Sequence, residues 1–123
     1  MSEPMQPDGE EPTSSTVDLV SAMLDRLRPD PEQPDAVGGS WRYASLVEGP
    51  LEAGVWEATV ATWVEDAYPV EEVMVMVGGH LRLTDADGTR HDLRRGDMFH
   101  LPRGWAGRWE VIEDMQKIYV ILP

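Results

Sequence analysis

Tyr68-Pro69-Val70-Glu71-Glu72-Val73-Met74-Val75-Met76-Val77-Gly78-Gly79 begins the stretch that decides the fold, and Gly96-Asp97-Met98-Phe99-His100-Leu101-Pro102-Arg103-Gly104-Trp105-Ala106-Gly107-Arg108-Trp109 ends it. After its first glutamate, the run Glu72 to Val77 is apolar throughout, the pattern of a strand buried on both faces. Gly78-Gly79 bends the chain into His80-Leu81-Arg82-Leu83-Thr84, where apolar and polar residues alternate. Asp85-Ala86-Asp87-Gly88 reads as a hairpin turn, and Arg95-Gly96-Asp97 and Pro102-Arg103-Gly104 as two further corners. Outside this stretch the same grammar holds. Trp41–Val47, Val55–Trp63, Arg90–Leu93, Met98–Leu101, Trp105–Ile112 and Gln116–Leu122 are short strand-like runs separated by turn residues. Together they predict an all-β fold closed into a barrel or two sheets, because closure removes the edges that many short strands would otherwise expose.

Upstream the character changes. Residues 1–14 hold little to bury and read as a disordered acidic tail. Residues 15–28 predict a short helix: Ser15 or Thr16 caps it, Val17, Val20, Leu24 and Leu27 share a face, and Pro29 stops it. Residues 29–40, rich in Pro and Gly, are a linker, and 41–123 form the β domain. The apolar helix stripe reads as a docking face for this chain's own barrel or a second subunit.

The 123 residues suffice for one domain. Net charge is −13, of which −7 falls on residues 1–36 and −6 on 37–123. So acidic a surface repels phosphate backbones, so nucleic acid is not an expected partner. No apolar run is long enough to span a bilayer, and the N-terminus lacks the pattern of a secretory signal. There is no cysteine, which removes thiolate metal sites and a cysteine nucleophile and suits a cytoplasmic location. Phosphate-binding glycine loops and nucleophile elbows are absent.

Two segments resemble the paired motifs of the cupin superfamily, jelly-roll barrels of RmlC-like type. Glu72 stands six residues before Gly79, as the first motif's glutamate does; Gly96, five residues, Pro102-Arg103-Gly104 match the second motif. Gly54-Val55-Trp56-Glu57, Tyr68 to Glu72, Pro102 to Val111 and Lys117 to Val120 are similar to the small cupins grouped with ureidoglycine aminohydrolase and the ethanolamine-utilisation proteins. The likeness covers about residues 40–122 and departs from the pattern between Ala61 and Tyr68, which is one residue longer. It implies a double-stranded β-helix and a homodimer paired through its sheets.

Such barrels usually hold a divalent metal with three histidines and a glutamate. By that resemblance the histidine positions here are Asp66, Tyr68 and Gly107, and only Glu72 is retained. The expectation is no cofactor and no metal; the metal alternative would use Glu72, Asp66 and His100. His100 shares a face with Met98 and points to the cavity or to solvent; His80 and His91 read as surface residues.

The same alignment sends Tyr68, Glu72, Met74, Met76 and Trp109 inward, with Trp56 on the neighbouring strand and Lys117 and Tyr119 together on the last one. An apolar wall with a few fixed polar groups is how small-molecule sites are built. The expected ligand is a small polar metabolite. Glu72, desolvated among Trp and Met and partnered by Tyr68, is a candidate acid/base of an isomerase, lyase or amidohydrolase. A structural Glu72, bonded to Tyr68 or paired with Lys117, is the competing expectation, and a non-catalytic binding or accessory protein the competing function. Lys117, the single lysine, has three open roles: partner to Glu72, anion binder, or a side chain reaching the rim. Arg94, Arg95, Arg103 and Arg108 balance the acidic surface.

Overall fold

The computed structural model describes residues 27–123 apart from Glu32 and Pro34; the predicted tail and nearly all of the predicted helix lie outside the described residues. The described chain forms eight strands: β1 (Arg28–Pro29), β2 (Trp41–Val47), β3 (Glu52–Ala58), β4 (Ala61–Glu65), β5 (Glu71–Asp85), β6 (Arg90–Arg94), β7 (Met98–Leu101) and β8 (Gly107–Leu122). Arg28, assigned from sequence to the helix end, is extended and pairs with Tyr43. No helix among the described residues is long and apolar enough to cross a membrane.

Every strand pairing is antiparallel, and the order is β1-β2-β3-β8-β5-β6, with β4 also on β8 and β7 also on β5. β5 and β8 are the spine. They run beside each other along their whole length, and each changes its other neighbour midway: β8 from β4 to β3, β5 from β7 to β6. That exchange lets one curved sheet wrap into a barrel.

Two spans read from sequence as separate are continuous, and one read as continuous is divided. Met76 to Leu81 is not a bend between strands but a set of register shifts inside β5. Gly79 adopts φ +82°, and a Cβ there would overlap the Asp114 carbonyl, so only glycine fits the bulge. The shift changes the parity of the strand. Glu72, Met74 and Met76 face inward before it, and Leu81 and Leu83 after it. β8 likewise runs unbroken where two strands were expected. Conversely, Val55–Trp63 is split at Thr59-Val60, where the Val60 N–H donates to the Asp114 side chain, Oδ1, at 3.0 Å instead of to a backbone carbonyl of β8.

The core is one cluster centred on Trp41, Trp63, Met74, Met76, Leu81, Leu83, Leu101, Trp109 and Met115. Burying a large apolar side chain of this kind stabilises by about 1.5–3 kcal/mol, so this layer holds the barrel closed. Ala44 and Val55 form a smaller cluster on the other face of β2 and β3, covered by Leu27 and Leu46.

Candidate functional site

The Pro102-Arg103-Gly104 corner fixes one wall of the barrel's cavity. The Gly104 N–H donates to the Tyr68 carbonyl at 2.8 Å, and the Tyr68 N–H to the Trp105 carbonyl at 2.7 Å. Tyr68 is thereby held just ahead of β5, four residues before Glu72. Its hydroxyl donates to Glu72 Oε1 at 2.7 Å. From β8, the Lys117 ammonium donates to Glu72 Oε2 at 2.6 Å. Glu72 is 3% exposed and Lys117 4%. Both carboxylate oxygens are thus engaged, one by a phenol and one by a cation.

A cavity of about 490 Å³ opens over this group. Trp56, the direct cross-strand partner of Lys117, and Trp109 place their rings 4.7 and 5.0 Å from the Lys117 nitrogen. Trp109 stacks on Trp63, its cross-strand partner, at 5.3 Å and on Tyr68 at 5.9 Å, and Trp63 leans on Trp41 at 5.0 Å. The result is a continuous aromatic wall. Pairs like these add about 0.5–1.5 kcal/mol each beyond their buried area. The Trp109 indole N–H has no acceptor among the described residues.

Three more carboxylates line the cavity. Glu65, 9% exposed, accepts from Trp63 Nε1 at 3.1 Å. Asp30 accepts from Trp56 Nε1 at 3.0 Å. Glu52 accepts from Ser45 Oγ and Tyr119 Oη, each at 2.7 Å. Tyr119 reaches Glu52 because Gly54 stands opposite it; a Cβ at Gly54 would overlap the Ala44 carbonyl and crowd the phenol oxygen. All these donors are neutral. Desolvation raises the Glu65 carboxyl above its ordinary range, with Asp35 and Asp66 adding to the rise against the Trp63 hydrogen bond. Desolvation also raises the Tyr68 phenol, followed by the charges and hydrogen bond of Glu72 and the charges of Glu65 and Asp30. It stays a donor. Tyr119 is raised mainly by burial as well.

The structure brings six of the sequence candidates to the cavity: Tyr68, Glu72, Trp56, Trp109, Lys117 and Tyr119. Met74 and Met76 face inward but lie in the packed core; the nearer approach is Met74 Sδ, 4.0 Å from the Lys117 nitrogen. His100 is not in the cavity. It is exposed on the outer face of β7 and pairs with Glu71. Asp66 is exposed on a bend outside the cavity lining. Of the other histidines, His91 is half-buried against Asp85, while His80, expected at the surface, is buried against Asp92. Asp30, Glu52, Glu65, Trp41 and Trp63 were not singled out by sequence. Trp63 and Glu65 had a signal, since alternation puts residues two apart on one face.

The fold implies a metal, and the ligand positions do not fit one. No group of three acidic, histidine or cysteine side chains converges among the described residues. The one retained ligand, Glu72, already has an ammonium on one oxygen and a phenol proton on the other. At Gly107 a Cβ would overlap the Thr84 carbonyl and the Trp105 ring, so the place of the last histidine is filled from outside by Trp105.

The chain matches the EutQ-like cupin domain over residues 46–119. No curated protein sequence matches it significantly. Among solved structures, a Pseudomonas syringae protein of unknown function superposes with a TM-score of 0.73 at 21% identity, over 80% of this chain and 45% of that one. This chain thus spans less than half of that protein. A Rhizobium leguminosarum protein of unknown function gives 0.67 at 22% identity, over 90% and 98%. A putative ethanolamine utilization protein, EutQ, of Salmonella typhimurium gives 0.60 at 18%, over 68% and 70%. At such identities these likenesses speak for the fold alone. With more than half of its length matched to one family, the chain belongs to the EutQ-like cupins.

Proposed function

We propose that the protein binds a small polar organic molecule in the barrel cavity without a metal, and that Tyr68, Glu72 and Lys117 form the polar floor against which it docks. The observation that carries this reading is the Lys117–Glu72 pair. An ion pair only 4% exposed on both sides costs desolvation that a hydrophobic pair would avoid. It stands under an aromatic-walled cavity of the size small ligands fill. Here an ammonium balances Glu72 in place of a metal ion. Four tryptophans line the cavity, so intrinsic fluorescence reports occupancy. Native mass spectrometry of the protein after incubation with a metabolite extract tests the reading. Retention of a small molecule that quenches the fluorescence and is lost in Lys117→Met supports it; a protein that retains nothing from the extract contradicts it.

Acid–base catalysis is a second reading, favoured by the short Tyr68–Glu72 hydrogen bond at the cavity floor. A ligand that draws the Tyr68 hydroxyl aside frees one Glu72 oxygen as a base and leaves Tyr68 or Lys117 as the acid. Once the ligand is known, Glu72→Gln separates the two readings. Loss of turnover by about 10²–10⁴ with binding retained marks an enzyme. Loss of binding alone marks a binding protein.

We also propose a homodimer through the outer sheet face, where Ile118, Val75 and Met98 stand side by side on β8, β5 and β7 and Met98 is 70% exposed. Light scattering on Met98→Glu checks it: a shift to monomer supports this face, an unchanged dimer places the contact elsewhere.

A further inference from the structure

The charges around the cavity are not balanced. Among the described residues, four carboxylates line it, Asp30, Glu52, Glu65 and Glu72, against one cation, Lys117. Lys117 is spent on Glu72. Asp30, Glu52 and Glu65 make no ion pair among the described residues; each accepts only from an indole, a phenol or a hydroxyl. The pairs that the described residues do form leave these three aside: Arg28 with Glu48, Arg42 with Glu57, His91 with Asp85 and His100 with Glu71, among others. Asp30, Glu65 and Glu72 line the same cavity as the Tyr68 ring.

The wall that faces these charges is aromatic. Indole faces attract cations through their quadrupole, and most strongly where water is excluded. The protein already uses this attraction once: the Lys117 ammonium sits within 5.0 Å of both the Trp56 and Trp109 rings. Trp109 adds an independent sign of a missing partner. It is 1% exposed, lines the cavity, and its N–H meets no acceptor among the described residues. A buried donor of this kind normally has one, and what it lacks is an acceptor, so it calls for an oxygen on the ligand separate from any cationic group.

We propose that the cavity takes an organic ammonium ion, its charge met by Asp30 and Glu65 and its alkyl groups by Trp41, Trp56 and Trp63. An anionic ligand would meet net negative charge, and a neutral one would leave the two carboxylates uncompensated. This rests on the binding reading above and names the class of ligand.

The test is a fluorescence and calorimetric titration of the full chain with three probes of similar size: choline, its uncharged isostere 3,3-dimethylbutanol, and the anion pivalate. Choline is expected to bind on the order of tenfold or more tighter than the isostere, with pivalate weakest, a gap of at least about 1.4 kcal/mol. Glu65→Gln and Asp30→Asn should each narrow that gap severalfold. Equal affinity for choline and the isostere, tighter pivalate, or binding of none of the three overturns the proposal. A cavity that instead retains a neutral or anionic metabolite in the mass-spectrometric experiment overturns the ammonium while leaving the binding reading standing.

Discussion

In the β5–β6 hairpin, Asp92 accepts from His80 at 2.7 Å and from Arg82 at 2.9 Å, with Arg90 3.8 Å away. At the cavity, Glu65 has one neutral indole donor and two further acids nearby. The hairpin hydrogen bonds pull Asp92 down to about 2, whereas burial pushes Glu65 up. One chain therefore treats the same chemical group in opposite ways at its two ends. In the hairpin Asp92 and Asp85 have basic partners, and the result is structure. At the cavity, among the described residues, only Glu72 has a cation, and on the proposed reading the remaining charge is left for a ligand.

The largest expected effect comes from breaking the one ion pair the cavity does hold. Lys117→Met leaves Glu72 buried without its cation and is expected to cost about 3–5 kcal/mol, measured by urea denaturation. Lys117→Met combined with Glu72→Met should recover most of that loss, since two apolar groups of similar length need no counter-charge. A single-variant cost below about 1 kcal/mol would mean that Glu72 has another route to compensation, and the contrast between the two ends would weaken.

Next comes Gly107, at the histidine position of the second cupin motif. Gly107→Ala is expected to destabilise by about 1–3 kcal/mol, because its methyl meets the Thr84 carbonyl and the Trp105 ring. Gly107→His should be worse, and nickel or manganese should not restore its melting temperature. Metal-dependent rescue would show that Trp105 yields its place and that a metal site survives beneath it.

The smallest effects have opposite signs and sharpen the comparison most. Asp92 has a folded pKa below the usual carboxylate value of about 3.9. Its contribution to stability is therefore present above that value and is lost as pH falls from about 4 towards 2. Asp92→Asn is expected to lower stability at neutral pH and to flatten the acid limb of the stability profile. Glu65 is the reverse. Its folded pKa is raised, so its favourable contribution is present below the unfolded value of about 4.3 and is lost as pH rises through the folded value. Glu65→Gln is expected to gain stability at neutral pH, with the difference vanishing near pH 4.

Much of the fold was legible because its signals are positional. Gly79, Gly96, Pro102 and Gly104 sit where a bulge or corner needs them, and the apolar runs alternate with the pleat. The errors at Gly78-Gly79 and around Thr59 share a cause: glycine pairs and short polar breaks are equally compatible with a bend and with a bulge. Only the pairing of the neighbouring strand decides. Tyr68 and Glu72 were legible through the motif resemblance, which sends both inward, while alternation put Lys117 and Tyr119 on one face and left the role of Lys117 open. Asp30 was not. It lies in a proline-rich stretch without periodicity and reaches Trp56 only through the two-residue pairing of β1 with β2. His80 misled because its partner Asp92 sits across a hairpin, and it is that partner which makes burial tolerable.

Selection for binding leaves a trace in stability, since a site kept charged for a ligand is strained without it. The urea midpoint of Glu65→Gln against wild type at pH 7 therefore tests the central claim most directly. A higher midpoint for the variant is the predicted result. A midpoint lowered as in Asp92→Asn would mean that Glu65 is compensated in the free protein, and the cavity would be a polar part of the core with no charge reserved for a ligand.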